Sequence, residues 1–217
     1  MTARTRIKFC GLVRPDDVDT AVALGVDAIG FVFYPRSPRC LSSDEAAALR
    51  RRLPSFVSAV GLFVGESPAT VAAIASRVGL DVLQLHGDET PAEADTIAVA
   101  AAGRPWWKAI RMRAETDLLS SSRSFAAAEC LLLDAFSEGY GGSGKTFDWS
   151  WIPSDLPSRL ILSGGLDEGS VAEAIRRVRP FAVDVSSGIQ GDTPRSKDRA
   201  RMERFVAAVL SADAGRP

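Results

Sequence analysis

The sequence predicts a single (β/α)8 barrel, and three observations lead there. Short apolar, β-branched runs alternate with stretches of helical spacing, which implies a parallel sheet with crossover helices. The unit recurs eight times at roughly 25 residues, the count and size of the eightfold barrel. The chain has 217 residues, and such barrels run from about 200 residues upward. The alternative is an open doubly wound sheet. No GxGxxG turn follows an early strand, which disfavours it.

The elements follow in order. The first strand covers 6–10 and ends at Gly11. Alternation puts Ile7 and Phe9 on one side and Lys8 and Cys10 on the other. A helix over 15–24 is stopped by Gly25. The strand at 28–33 leads to a helix at 43–53, where Ser42 and Ser43 offer caps and Asp44 and Glu45 early acids. The strand at 58–64 precedes a helix at 68–78, with Ser67 before Pro68 at its start and Gly79 past its end. The strand at 82–86 is followed by a helix at 91–102, opened by Thr90 and Pro91. A strand at 107–111 and a helix at 115–127 come next, with Trp106 and Trp107 as core or helix-packing residues. After the strand at 130–134, residues 135–146 read as a glycine-rich loop and no sixth helix is clear. Long loops in compact domains are usually functional. Strands at 159–163 and 182–186, with helices at 168–178 and 197–210, complete the pattern. No linker or charge block divides residues 1–217, which read as one domain with a frayed tail at 211–217.

Composition removes several classes of function. The 26 basic and 27 acidic residues give a formal charge of -1, which provides no field for nucleic acid or an anionic membrane. No stretch has the apolar length of a membrane span, and the charged start MTARTRIKFCGL lacks a signal core. Cys10, Cys40 and Cys130 are far apart and odd in number. That argues against a disulfide framework and a zinc site, so no metal is expected and a reducing cytoplasm fits.

Barrel active sites lie at the C-terminal ends of the strands. The strand ends carry Cys10, then Gln84 and His86, then Asp134, then Ser163 with Gly164 and Gly165, then Asp184 and Ser186. That places polar and reactive groups around one mouth. Three glycine segments are candidates for holding phosphate: Gly142-Ser143-Gly144, Ser163-Gly164-Gly165 and Ser186-Ser187-Gly188. Glycine admits close backbone approach, and phosphate sites after strands 7 and 8 recur in this fold. Each segment also reads as ordinary turn chemistry.

The motifs KFCGL, DAIGFVFYPRSPRCLS, VGLFV, DVLQLHGDE, LLLDA, YGGSGKTFDW, LSGGL and RPFAVDVSSGIQ, with KD shortly after, occur in one order across nearly the whole chain. In this the chain resembles the phosphoribosylanthranilate isomerase family of tryptophan biosynthesis. It departs at Phe9, where isoleucine is usual, and at Gln190, where glutamate is usual. The resemblance implies a (β/α)8 enzyme, monomer or homodimer, that rearranges N-(5-phosphoribosyl)anthranilate to the 1-deoxyribulose 5-phosphate product without a cofactor. It implies Cys10 as base, Asp134 as acid and Arg39 as the holder of the anthranilate carboxylate. It places the three glycine segments on the phosphate side, and Gln84, His86 and Asp184 along the mouth.

The residues admit plainer readings too. Cys10 is equally an ordinary buried cysteine, Asp134 a turn cap, and His86 a hydrogen-bonded structural histidine. Arg36 could stand in for Arg39, but a bidentate fork suits a carboxylate and one of the two is expected to supply it. Cys40 and Cys130 read as structural. A buried Lys8 needs a partner, and strand 8 adjoins strand 1 in a closed barrel. Lys8 is therefore expected to pair with Asp184 and to lower the pKa of the Cys10 thiol. A carboxyl acting as an acid near neutral pH must be desolvated, which is expected of Asp134. Two rival functions stay open: a sugar-phosphate isomerase that also serves the analogous histidine-pathway substrate, and a barrel that binds a phosphorylated ligand without turnover.

Overall fold

A computed structural model describes residues 4–135 and 146–215. Eight parallel strands close into a barrel in sequence order. They are β1 (Arg6–Cys10), β2 (Ala28–Val32), β3 (Ser58–Phe63), β4 (Val82–Leu85), β5 (Trp106–Met112), β6 (Cys130–Ala135), β7 (Leu160–Leu162) and β8 (Ala182–Val185). Around them lie α1 (Pro15–Ala23), α2 (Ser43–Arg50), α3 (Pro68–Val78), α4 (Pro91–Ala100), α5 (Leu118–Ser124), α6 (Val171–Val178) and α7 (Arg199–Ala214). The eightfold barrel expected from the sequence is the fold observed. Between β6 and β7 the described residues form only one 3-10 turn, Trp149–Trp151.

Alternation along the strands divides the core in two. Ala28, Val60, Val82, Trp107, Cys130, Leu132 and Ile161 fill the barrel interior. Phe9, Phe31, Leu83, Leu131 and Leu133 face the helices, where Phe9 meets Phe205 of α7 edge-on at 6.0 Å. Fully burying each such side chain contributes about 1.5–3 kcal/mol. Trp106 joins the outer layer and Trp107 the inner one, so both are core.

The helix starts follow the local chemistry. Ser42 with Glu45 and Thr90 with Glu93 form capping boxes, and Ser67 accepts from the Thr70 N–H. α3 ends on Gly79 in the left-handed region. Only α3 keeps its expected range; α1, α2 and α4 end one to three residues early, and the other three differ for visible local reasons. α5 is short because Asp117 caps it only at Leu118 and its body is serine-rich. α6 begins three residues late because the Asp167 carboxylate accepts from the N–H groups of Gly169 and Ser170 and holds a turn there. α7 begins after the Asp198 cap and runs to Ala214, so most of the tail expected to fray is helical. Its last turn is tied down. The Asp213 carboxylate accepts from the Thr5 N–H at 2.6 Å and the Thr5 hydroxyl at 2.7 Å, and Ala212 is buried.

Candidate active site

The register of β1 against β8 sets Lys8 beside Asp184. The Lys8 ammonium lies 2.8 Å from Asp184 Oδ1, and both side chains are almost wholly buried. The expected pair is present. Ser163 donates to the other carboxylate oxygen at 3.2 Å. Burial presses Lys8 toward neutrality, but Asp184 and Cys10 outweigh it, and its pKa is raised. The pair is held by mutual compensation, so removing one member is costly. Lys8→Met is expected to destabilise the fold by about 3–5 kcal/mol by leaving Asp184 alone. Adding Asp184→Leu should recover most of that loss in urea unfolding. A double variant no more stable than the single one would contradict this.

Cys10 closes β1 with 6% exposure. Room for its sulfur comes from Gly30 on β2, where a Cβ would lie 2.9 Å from Sγ. Lys8 acts on the thiol in the expected direction but does not set the outcome. Burial raises the pKa, Lys8 pulls it down and Asp184 pushes it back up; the net shift is upward. Lys8 fails to dominate because burial of the thiol outweighs it, with Asp184 adding to the rise.

Across the mouth, with β7 and β8 between, Asp134 sits near the end of β6. Its side chain is 13% exposed, and its Oδ2 lies 3.2 Å from His86 Nε2. That approach is close without hydrogen-bond alignment. His86 follows β4 and is oriented from behind by Gln84, whose amide nitrogen is 3.0 Å from Nδ1. The direction of that contact follows the imidazole tautomer, and either way it turns the Nε2 edge of the ring toward Asp134. Arg111 of β5 is the register partner of Asp134 and reaches Asp88 at 2.5 Å.

Arg36 is exposed and Arg39 is buried. Arg39 donates to the Gln190 side-chain oxygen at 2.5 Å, and its Nε has no partner among the described residues. Burial lowers its pKa, opposed by Cys10. A buried guanidinium oriented by a neutral amide, with a donor left over, is suited to an incoming carboxylate.

The loops after β7 and β8 pack tightly. A Cβ on Gly164 would lie 2.4 Å from the Ala135 nitrogen, and one on Gly188 2.0 Å from the Leu166 carbonyl oxygen. Gly165, Ser187 and Gly188 line a cavity of about 330 Å³ between these loops, with Leu166, Asp167, Glu168 and Arg201. The Ser163 and Ser186 hydroxyls are occupied within the protein, donating to Asp184 and to the Cys10 carbonyl. Gly142, Ser143 and Gly144 lie outside the described residues. Cys130 lies in the barrel interior, and burial pushes its thiol up to about 12, in keeping with a structural role.

Two cations that the sequence reading assigned no role also border this region. Arg111 is one. The other is Lys197, buried at 7% exposure, whose ammonium donates to the Ser186 carbonyl at 2.8 Å and to its hydroxyl at 3.3 Å.

Comparison with known proteins agrees with this geometry. The family model for N-(5'-phosphoribosyl)anthranilate (PRA) isomerase matches residues 7–208. A relative of that name from Leptothrix cholodnii is 54% identical over 98% of this chain and 94% of its own length. The crystal structure of phosphoribosyl anthranilate isomerase from Thermus thermophilus superposes with a TM-score of 0.86 at 31% identity, covering 95% of this chain and 99% of that one. Another such isomerase, solved with reduced 1-(o-carboxyphenylamino)-1-deoxyribulose 5-phosphate, gives 0.81 at 36% identity over 95% and 99%. With the family model spanning residues 7–208 and close relatives sharing the barrel, the chain belongs to the N-(5'-phosphoribosyl)anthranilate isomerase family.

Proposed function

We propose that the enzyme performs its isomerisation by acid–base catalysis, with Asp134 as acid and Cys10 as base. The observation that carries this reading is their placement. A thiol and a carboxyl end strands on opposite sides of one mouth, each against a residue that orients or charges it. An Amadori rearrangement needs two separated proton transfers. Asp134 protonates the furanose ring oxygen as the ring opens to a Schiff base. The Cys10 thiolate then takes the proton from C2, and the enolamine that forms becomes the ketone. Arg39 holds the anthranilate carboxylate. Gly165, Ser187 and Gly188 supply backbone N–H groups for the phosphate, a role that glycine-rich turns and helix starts perform well. Nothing in these steps calls for a metal or organic cofactor.

The test is turnover of freshly prepared phosphoribosylanthranilate, followed by loss of anthranilate fluorescence, beside the histidine-pathway analogue. Turnover of the first substrate alone is expected. Comparable turnover of both would assign the chain to the dual-substrate class. Ligand affinity with no fluorescence change would leave only binding.

A further inference from the structure

We propose that Arg195 is a positioning residue for the anthranilate carboxylate: it pins the backbone on both sides of Arg39, so that the Arg39 guanidinium meets the carboxylate in a fixed place. This deepens the reading of Arg39 as the holder of that carboxylate and rests on it.

Arg39 sits on a segment that turns on itself. After β2 the Ser37 N–H donates to the Tyr34 carbonyl at 2.9 Å, and the Cys40 N–H to the Ser37 carbonyl at 3.0 Å. The Arg39 N–H donates to the Ser37 hydroxyl at 3.2 Å. Pro35 and Pro38 have no N–H to add. The chain rejoins the barrel at Leu41, whose N–H donates to the Val32 carbonyl at 2.9 Å. The Arg39 side chain crosses the end of β1, where a Cβ on Gly11 would lie 2.5 Å from its Cδ. That sets the guanidinium beside the strand that carries Cys10.

A second loop grips this segment from the other side of β1, since β2 and β8 both flank that strand. Residues 190–197 close on themselves: the Gly191 N–H donates to the Ser196 carbonyl at 2.9 Å, and Gln190 pairs with Lys197. The base of the loop is anchored where the Lys197 N–H donates to the Asp17 carboxylate of α1 at 3.1 Å. Two of its side chains reach the Arg39 segment. Gln190 accepts from Arg39 Nη2 at 2.5 Å and so orients the guanidinium. Arg195 takes the main chain. Its Nη1 donates to the Pro38 carbonyl at 3.1 Å and to the Cys40 carbonyl at 3.3 Å, the residues directly before and after Arg39. One loop thus fixes both the backbone and the side chain of the same arginine. An exposed arginine has no need of such contacts for solubility, and these two fall on the residues that flank Arg39. A clamp displaced by about an ångström loses much of its effect, which is what the two bonds prevent.

The experiment measures two constants in wild type, Arg195→Gln and Arg195→Lys. One is KM for phosphoribosylanthranilate. The other is the competitive inhibition constant of N-(5-phosphoribosyl)aniline, which lacks the carboxylate. Arg195 is exposed, so the variants should fold, and circular dichroism checks this. The glutamine side chain falls short of both carbonyls. Its KM should rise roughly 3- to 10-fold, with kcat little changed, as for a lost binding contact remote from the reacting atoms. The inhibition constant should not move. Arg195→Lys keeps a terminal nitrogen and should bring KM back toward wild type. The rise should persist in about 0.5 M NaCl, where direct attraction between an exposed charge and the carboxylate is screened. A wild-type KM in Arg195→Gln would overturn the proposal. So would an equal rise in both constants, the mark of a loosened site, or a rise that disappears in salt. Failure of the underlying reading shows separately in Arg39→Gln. There KM should rise on the order of 100-fold with the inhibition constant unchanged. A wild-type ratio of the two constants in that variant would mean that Arg39 does not hold the carboxylate.

Discussion

Cys10→Ser should lower kcat by about 10²–10⁴, the usual contribution of a positioned acid or base, with little change in KM. Serine fits the space that Gly30 leaves for the sulfur, so the fold should survive. What is lost is acidity. A thiol reaches its anion near neutral pH and a hydroxyl does not. The pH profile carries a second prediction. Burial holds the Cys10 thiol above its ordinary value despite the opposing pull of Lys8. The reactive form is the anion, so wild-type kcat/KM should rise with pH through a midpoint above that of a free thiol. That rise should be absent from the serine variant. A variant retaining activity within tenfold of wild type, with the same rising limb, would take the base away from Cys10.

Much of this site was legible before any coordinates. Lys8 and Cys10 share a face of β1 because strands alternate. Closure of the barrel brings β8 alongside, and Asp184 falls opposite Lys8. Those two rules alone yield the buried ion pair. Cys10, His86 and Asp134 were found by asking what ends each strand, a question that fold class turns into a question about function.

What escaped was held by contacts that carry no pattern. Lys197 is the lysine of the KD pair in the motif set, but its partner is a backbone carbonyl eleven residues earlier. A carbonyl has no residue type, so no motif announces it. Asp213 looked like a frayed end because its partner Thr5 is 208 residues away. The sign of the Cys10 shift was missed for another reason. A lysine nearby suggests a lowered thiol pKa, but the outcome depends on burial and on what else touches that lysine. Ser163 and Ser186 show the same limit, since their hydroxyls are occupied by Asp184 and the end of β1.

Asp134→Asn should cost as much in kcat as the serine variant, about 10²–10⁴, but at a different step. Asparagine keeps the shape and an oxygen to accept from the Ala135 N–H, as Asp134 Oδ1 does at 2.9 Å. It cannot hand a proton to the ring oxygen. Ring opening precedes loss of the C2 proton, so the two variants should answer differently to a substrate carrying deuterium at C2. In Cys10→Ser the C2 transfer becomes limiting, and the isotope effect on kcat should grow. In Asp134→Asn ring opening becomes limiting, and the isotope effect should fall toward unity. The same large isotope effect in both would mean that Asp134 acts at the C2 step instead, and His86, 3.2 Å from its carboxylate, would be the next residue to test as the ring-opening acid.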